Sequence, residues 1–186
     1  LLMAIYERWN EVKVSDAAKQ IGVSTKSASR CFDELEYLNI DVLGMKGKSR
    51  VINIPNDRKQ VWQQIENVLR NPVIRRFVLR EDMKLEKKAG ISALCEYSLL
   101  SDNVYPTYAV TKKELKDSAV KVEKQVSELE EIGCVVLELG YFIDFLGKGF
   151  QDPLSVVLSL TGEEQEEERV DISINEMLEE YVWSKD

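Results

Sequence analysis

Residues 14–55 constrain the fold more than any other part of the chain, because helical and strand-like patterns alternate there around two turns. Residues 13–23, KVSDAAKQIGV, predict a short helix that ends at the glycine. Ser24 then stands where a helix cap is expected, before a second helix over residues 25–39. Two strand-like runs follow within residues 41–54, on either side of the turn MKGK. The expected order is helix, tight turn, helix and basic β-hairpin.

This order is the layout of a winged-helix DNA-binding module. In the helix over residues 25–39, apolar residues at three-four spacing predict a face toward the core. Polar and basic residues lie near the start of this helix, and acidic residues lie further along it. Such a helix could enter the major groove with its N-terminus first. The predicted DNA-contacting residues lie at the start of this helix and on the hairpin: Thr25, Lys26, Ser27, Ser29, Arg30, Lys46, Lys48, Ser49 and Arg50.

The expected contacts follow from the chemistry of these side chains. Lys26 and Arg30 could reach guanine acceptors in the major groove, while the hydroxyl groups of the helix meet phosphates or base edges. Lys46, Lys48 and Arg50 would contact backbone phosphate or the neighbouring minor groove. The alternative is an ordinary solvated helix face beside a charged loop, which would have the same composition.

Charge is distributed unevenly along the chain, whose formal net charge is −8. Residues 1–90 contain 17 Lys and Arg against 12 Asp and Glu, whereas residues 91–186 contain 8 against 21. DNA responds to charges within about 8–10 Å at physiological salt, so the acidic total does not exclude DNA binding. The asymmetry suggests a nucleic-acid-binding part joined to an acidic part that binds a partner.

The remaining segments mix helical and strand-like patterns, which predicts an α+β fold. Residues 1–9 predict a first helix, and Asn56 could cap a fourth helix that ends at residue 71. The predicted domains are a winged helix-turn-helix domain over 1–71 and an acidic, mixed α+β regulatory or partner-binding domain over 72–186. In the second domain we expect strands at 73–79, 107–110 and 134–139, helices at 91–100, 120–131, 153–160 and 170–183, and an acidic break at 163–168.

The sequence argues against catalysis and metal binding. The chain contains no histidine, which excludes Ser-His and Cys-His pairs, and it lacks the standard glycine-rich phosphate-binding motifs. Cys31, Cys95 and Cys134 form no C-x-x-C pair, so we expect three buried thiols in a reducing compartment, with Cys31 on the inner face of its helix. We therefore expect no enzyme, no cofactor and no metal site.

Targeting and membrane signals are not recognisable in the sequence. No apolar run approaches the ~20 residues that span a bilayer, and no secretion signal is seen, so we expect a cytoplasmic protein with no membrane partner. The chain begins Leu1-Leu2-Met3, which is compatible with a fragment, and a preceding targeting segment therefore stays open.

Two groups of side chains have two interpretations each. A set of arginines could extend the DNA-binding surface or pair with the acidic half: Arg70, Arg75, Arg76 and Arg80. Aromatic residues of the second half could line a ligand pocket or partner interface, or form the core of a small α+β domain. They are Tyr97, Tyr105, Tyr108, Tyr141, Phe142, Phe145 and Phe150.

Several runs resemble known families. Residues 15–24, SDAAKQIGVS, and residues 32–40, FDELEYLNI, resemble winged-helix regulators of the MarR-like type. Three later runs resemble the C-terminal part of abortive-infection (AbiEi-type) antitoxins and related bacterial regulators: AGISALCEYSLLS with YPTYA, DPLSVVLSL, and ERV. The resemblance implies a regulator that represses its own operon and that could antagonise a nucleotidyltransferase-like toxin.

Together these features predict a transcriptional regulator, an autorepressor that binds double-stranded operator DNA. Two copies would be needed to read half-sites about one helical turn apart, so we expect a homodimer joined through the second half. The competing hypothesis is an antitoxin or a protein-interaction module whose acidic C-terminal half binds a toxin or another protein partner.

Overall fold

The computed structural model describes residues 1–117, 132–144 and 146–184. The chain divides into two compact units, Leu1–Leu69 and Arg70–Asp186, two residues from the boundary that the sequence predicts. Helices and small sheets occur in both units, so the fold is of the α+β class.

The N-terminal unit combines short helices with a small antiparallel sheet. Its elements are α1 (Leu2–Tyr6), β1 (Val12–Lys13), α2 (Val14–Gln20), α3 (Thr25–Tyr37), β2 (Leu43–Lys46), β3 (Ser49–Ile52) and α4 (Arg58–Ile65). Strand β3 lies between β1 and β2, and β2 and β3 form a hairpin in which Lys46 is opposite Ser49. The core between the helices and this sheet is apolar, with Ile5, Val51 and Ile65 almost fully buried.

Local chemistry sets the ends of the helices in this unit. Gly22 has a φ of +68°, which ends α2 at the predicted glycine. Ser24 caps α3 as predicted, because its hydroxyl accepts a hydrogen bond from the Ser27 amide. The predicted cap of the fourth helix is wrong: Asp57, not Asn56, accepts a hydrogen bond from the amide of Gln60. Helix α4 also ends at Ile65, well before residue 71.

The prediction of three buried thiols is wrong at two positions. Cys31 is exposed and Cys95 is partly exposed, while Cys134 is buried. Helix α3 buries Ala28 and Phe32, and each residue turns a helix by about 100°, so Cys31 lies off this face.

The C-terminal unit is built on a second three-stranded sheet with several helices. Its elements are β4 (Val73–Leu79), α5 (Gly90–Tyr97), β5 (Thr107–Thr111), α6 (Lys112–Asp117), β6 (Cys134–Leu139), α7 (Pro153–Ser159), α8 (Gly162–Glu166) and α9 (Glu168–Leu178), followed by a π-helical turn (Glu179–Trp183). Strand β6 is central, antiparallel to β4 and parallel to β5, and all six of its residues are buried. Alternate residues of β6 therefore join two apolar clusters on opposite faces of the sheet.

The three predicted strands of this unit are confirmed, and so are helices near the predicted positions 91–100, 153–160 and 170–183. The predicted acidic break is wrong, because residues 162–166 form α8. The Thr161 hydroxyl accepts from the Glu164 amide while the Glu164 carboxylate accepts from the Thr161 amide, a capping box that starts the helix. The predicted helix at 120–131 lies outside the described residues.

Most aromatic side chains of the C-terminal unit pack inside it. Tyr97 and Tyr108 are buried, and Tyr105 and Phe142 pack against one face of the sheet. Tyr141 is 38% exposed, and Phe145 lies outside the described residues. These positions favour the core interpretation for much of the set.

Within the described ranges, no helix is long and apolar enough to cross a membrane.

Candidate nucleic-acid interface

The start of helix α3 presents four exposed polar side chains, those of Thr25, Lys26, Ser27 and Arg30. Lys26 and Arg30 are four residues apart and therefore share one side of the helix. In the part of the chain that the structure describes, no carboxylate forms an ion pair with either of them. Two positive charges at the first turns of the helix thus remain available to an anionic ligand.

Ser27 has a structural role at the same helix end. Its amide donates to the Ser24 hydroxyl at 3.1 Å, and the two hydroxyl oxygens lie 2.9 Å apart. These contacts satisfy groups that would otherwise lack partners in the first turn of the helix. The Ser27 hydroxyl is therefore engaged within the cap, unlike the neighbouring Lys26.

Arg50 of strand β3 reaches across to helix α3 and forms a group of contacts that we call the Arg50 cluster: Arg50, Ser29, Asp33 and Glu36. Its guanidinium donates to Asp33 at 2.6 Å, to Glu36 at 3.1 Å and to the Ser29 hydroxyl at 3.3 Å. The guanidinium carbon also lies 6.0 Å from the centre of the Phe32 ring. Hydrogen bonding to Asp33, assisted by the charges of both acids, raises the pKa of Arg50.

The Arg50 cluster changes the role expected for two predicted contact residues. Arg50 and Ser29 are brought together, but their polar groups bind each other and two acids of the same unit. The guanidinium therefore fastens the hairpin to α3 and offsets part of the negative charge of Asp33 and Glu36. The sequence alone did not reveal this, because Asp33 and Glu36 lie 17 and 14 residues before Arg50. The one local indication was that Asp33 and Glu36 are three residues apart and therefore share a side of the helix, where a single cation can contact both.

The hairpin contributes one further cation, Lys48, that has no ion pair in the part of the chain that the structure describes. Lys46 forms an ion pair with Glu11, whose own amide donates to the Asn53 side chain at 2.6 Å. Gly47 has a φ of +63°, which allows the tight turn at the hairpin tip. Lys48 follows it, is exposed, and has no ion-pair partner within residues 1–117, 132–144 and 146–184. Ser49, partly exposed, lies opposite Lys46 in the ladder.

The charge of the N-terminal unit is close to balanced. Residues 1–69 contain ten Lys and Arg and nine Asp and Glu, and most of the positive excess found over residues 1–90 comes from residues 70–90. Arg75 and Arg76 in that stretch form ion pairs with Glu138 and Glu164, which agrees with the pairing interpretation of these two arginines. Any positive surface of the N-terminal unit therefore depends on which cations are left unpaired.

The described side chains form no group of three or more His, Cys, Asp or Glu residues that could hold a metal ion. Comparison of the chain with protein-family models, curated proteins and solved structures finds no match. The MarR-like and AbiEi-type resemblances therefore stay predictions.

Proposed function

We propose that the protein is a DNA-binding transcriptional regulator whose N-terminal unit acts as a winged helix. Helix α3 would enter the major groove with Thr25, Lys26 and Arg30 foremost, and Lys48 at the hairpin tip would meet the phosphate backbone. Two copies would read two half-sites, and the operator would lie upstream of the protein's own gene, where binding represses transcription.

The observation that carries this proposal is the separation of charges on helix α3. Lys26 and Arg30 stand exposed and without carboxylate partners among the described residues, whereas Asp33 and Glu36 further along are partly compensated by Arg50. A helix whose acids were uncompensated would repel phosphates within a Debye length of about 8–10 Å. The pairing leaves the start of the helix as its most positive part, which suits entry N-terminus first.

A gel-shift assay with the protein's own upstream DNA tests the proposal, run at low and moderate salt against scrambled competitor DNA. We expect retardation that is selective for the upstream sequence and weakens with salt, because phosphate contacts release counterions. The double variant Lys26→Ala/Arg30→Ala should bind at least about tenfold more weakly, since base-edge contacts contribute about 1–3 kcal/mol each.

A matched control removes the same charge from the other unit. Lys112→Ala/Lys113→Ala replaces two exposed lysines of helix α6 and should leave retardation unchanged. Equal weakening in both double variants would mean that general charge, not α3, governs binding. Absence of retardation by the folded wild-type chain would reject DNA binding altogether.

The second candidate function is a protein-interaction module, and a specific feature favours it. The C-terminal unit carries a groove lined by four glutamates and two tyrosines, described below. In this function the helix α3 surface would pack against protein, and the acidic C-terminal unit would bind a basic partner protein. If that partner is a toxin, the chain would be an antitoxin. The gel-shift separates the two functions, because only DNA binding requires selective, salt-dependent retardation.

A further inference from the structure

One groove of the C-terminal unit has no role in the proposed DNA binding. It lies between the end of helix α5 and the π-helical turn after α9, and its volume is about 750 Å³. Two tyrosines contribute to its wall: the rings of Tyr97 and Tyr181 meet edge to face, with centres 5.1 Å apart. Tyr97 is held in place because its hydroxyl donates to the Gln151 carbonyl at 3.0 Å.

The lining of this groove combines negative charge with apolar surface. Four glutamates line it, namely Glu96, Glu176, Glu179 and Glu180. Glu96 forms an ion pair with Lys88, whereas Glu176 and Glu180 have no cationic partner among the residues that the structure describes. Leu99 stands at the same groove with its side chain 99% exposed, which leaves an entire apolar side chain in water.

We propose that this groove, formed by Tyr97, Leu99, Glu176, Glu180 and Tyr181, docks a basic segment of a partner protein that carries an apolar side chain beside its Arg or Lys residues. The carboxylates repel nucleic acid and anionic lipid headgroups and attract cations. The exposed Leu99 and the partly exposed Tyr181, which the buried Tyr97 supports from behind, give a bare inorganic cation nothing to contact. They suit the apolar stem of arginine and a neighbouring apolar side chain.

The π-helical turn helps to explain why the groove exists. From Glu179 to Trp183 the helix widens, and the Ser184 amide donates to the carbonyl of Glu179, five residues earlier. Such turns disturb regular helix packing and occur frequently at functional sites. Here the turn places Glu180 and Tyr181 beside the end of α5, where Glu96 and Leu99 face the same space.

The test measures fluorescence anisotropy of a fluorescein-labelled peptide of alternating Arg and Leu with the full chain. We expect binding that weakens with salt. Glu176→Gln/Glu180→Gln should weaken it about fivefold, the sum of two exposed ion pairs. The control Glu163→Gln/Glu166→Gln removes two exposed acids of helix α8 that do not line the groove, and should change nothing.

The contribution of apolar surface to peptide binding is tested with a second variant and its matched control. Leu99→Ser should weaken binding about threefold or more, since it removes apolar surface that the peptide would cover. Val104→Ser replaces another fully exposed apolar residue outside the groove and should have no effect. A peptide of alternating Arg and Ser should bind more weakly than the Arg-Leu peptide.

Several results would overturn the proposal. They are no peptide binding, equal losses in the two glutamate double variants, an unaffected Leu99→Ser variant, or equal affinity for the Arg-Ser peptide, which would indicate a simple cation site. Self-association that Glu176→Gln/Glu180→Gln abolishes would instead make a second copy the occupant. The proposal does not rest on DNA binding: the groove variants should retain the gel-shift, so the two proposals can fail separately.

Discussion

Replacing Arg50 by alanine separates a structural role from a DNA contact. Arg50 is 29% exposed, and its partners Asp33 and Glu36 are 60% and 69% exposed. Exposed ion pairs contribute about 0.2–1 kcal/mol each, and a cation over an aromatic ring at such a site about 0.5–1 kcal/mol. We therefore expect Arg50→Ala to lower the unfolding free energy of the N-terminal unit by about 1–2 kcal/mol.

Tryptophan fluorescence is a suitable assay for this change. Trp9 and Trp62 are both buried in the N-terminal unit, whereas the third tryptophan, Trp183, belongs to the other unit. For a unit of this size a loss of 1 kcal/mol lowers the melting temperature by about 4–8 °C. The control Lys48→Ala removes one cation from the hairpin tip, where it has no ion pair in the described part of the chain, and should leave stability unchanged.

The same variant makes a distinct prediction for DNA binding. Without Arg50, the carboxylates of Asp33 and Glu36 are left uncompensated on helix α3 and should repel phosphates. The triple variant Arg50→Ala/Asp33→Asn/Glu36→Gln should then recover part of the lost affinity, because the repelling charges are gone. If Arg50→Ala weakened DNA binding at unchanged stability, and neutralising the acids restored nothing, Arg50 would contact DNA directly and our account of the cluster would be refuted.

Two further predictions concern the C-terminal unit. A Cβ on Gly133 would collide with the Arg80 carbonyl oxygen, so Gly133→Ala should lower the free energy of unfolding in urea by about 1–3 kcal/mol. Gly162→Ala, whose added Cβ would meet no described atom within 4 Å, should leave it unchanged, and equal losses in the two variants would contradict the close approach at Gly133. Hydrogen bonding from Lys87 lowers the pKa of Glu114 to about 2 from an ordinary value of 4.5, so its stabilisation is full above pH 4.5 and is lost as pH falls toward 2. Glu114→Gln should reduce the loss of unfolding free energy that the wild-type protein shows between pH 4.5 and 2. An unchanged pH dependence in this range would show that the ion pair with Lys87 is not formed.

The parts of the fold that the sequence predicts correctly depend on local features. The run CVVLEL follows Gly133 and precedes Gly140, and its apolar, β-branched composition predicts the central strand β6. The cap at Ser24 and the glycine after α2 are equally local features. Contacts between residues that are distant in the chain are not predictable in this way. Glu138 of the central strand β6 is 2% exposed, and its partner is Arg75 of the neighbouring strand β4, 63 residues earlier.

Local and distant signals also explain why the predicted interface divides into two groups. Helical spacing correctly puts Lys26 and Arg30 on one side of α3, because that relation depends only on the helix repeat. Whether a cation lacks an ion pair depends on which acids the fold brings close to it. Glu11 forms an ion pair with Lys46, and Asp33 and Glu36 form ion pairs with Arg50. Neither the spacing of residues nor the number of charges along the sequence reveals these ion pairs.

The difference between paired and unpaired cations also determines how the charge of this chain relates to DNA binding. Over residues 1–90 the excess of basic residues is substantial, but within the N-terminal unit it falls to a single charge, ten against nine. At physiological salt a phosphate senses charges within about 8 Å, so a window of many residues is the wrong measure for DNA binding. The relevant quantity is the set of cations near the DNA that have no ion pair among the described residues, which on helix α3 and the hairpin are Lys26, Arg30 and Lys48. If those three side chains carry binding, reversing Lys26 to Glu should cost more affinity than reversing the already paired Lys46, although both changes alter the net charge equally. Equal losses would mean that summed charge governs binding and that the ion pairs are irrelevant to it.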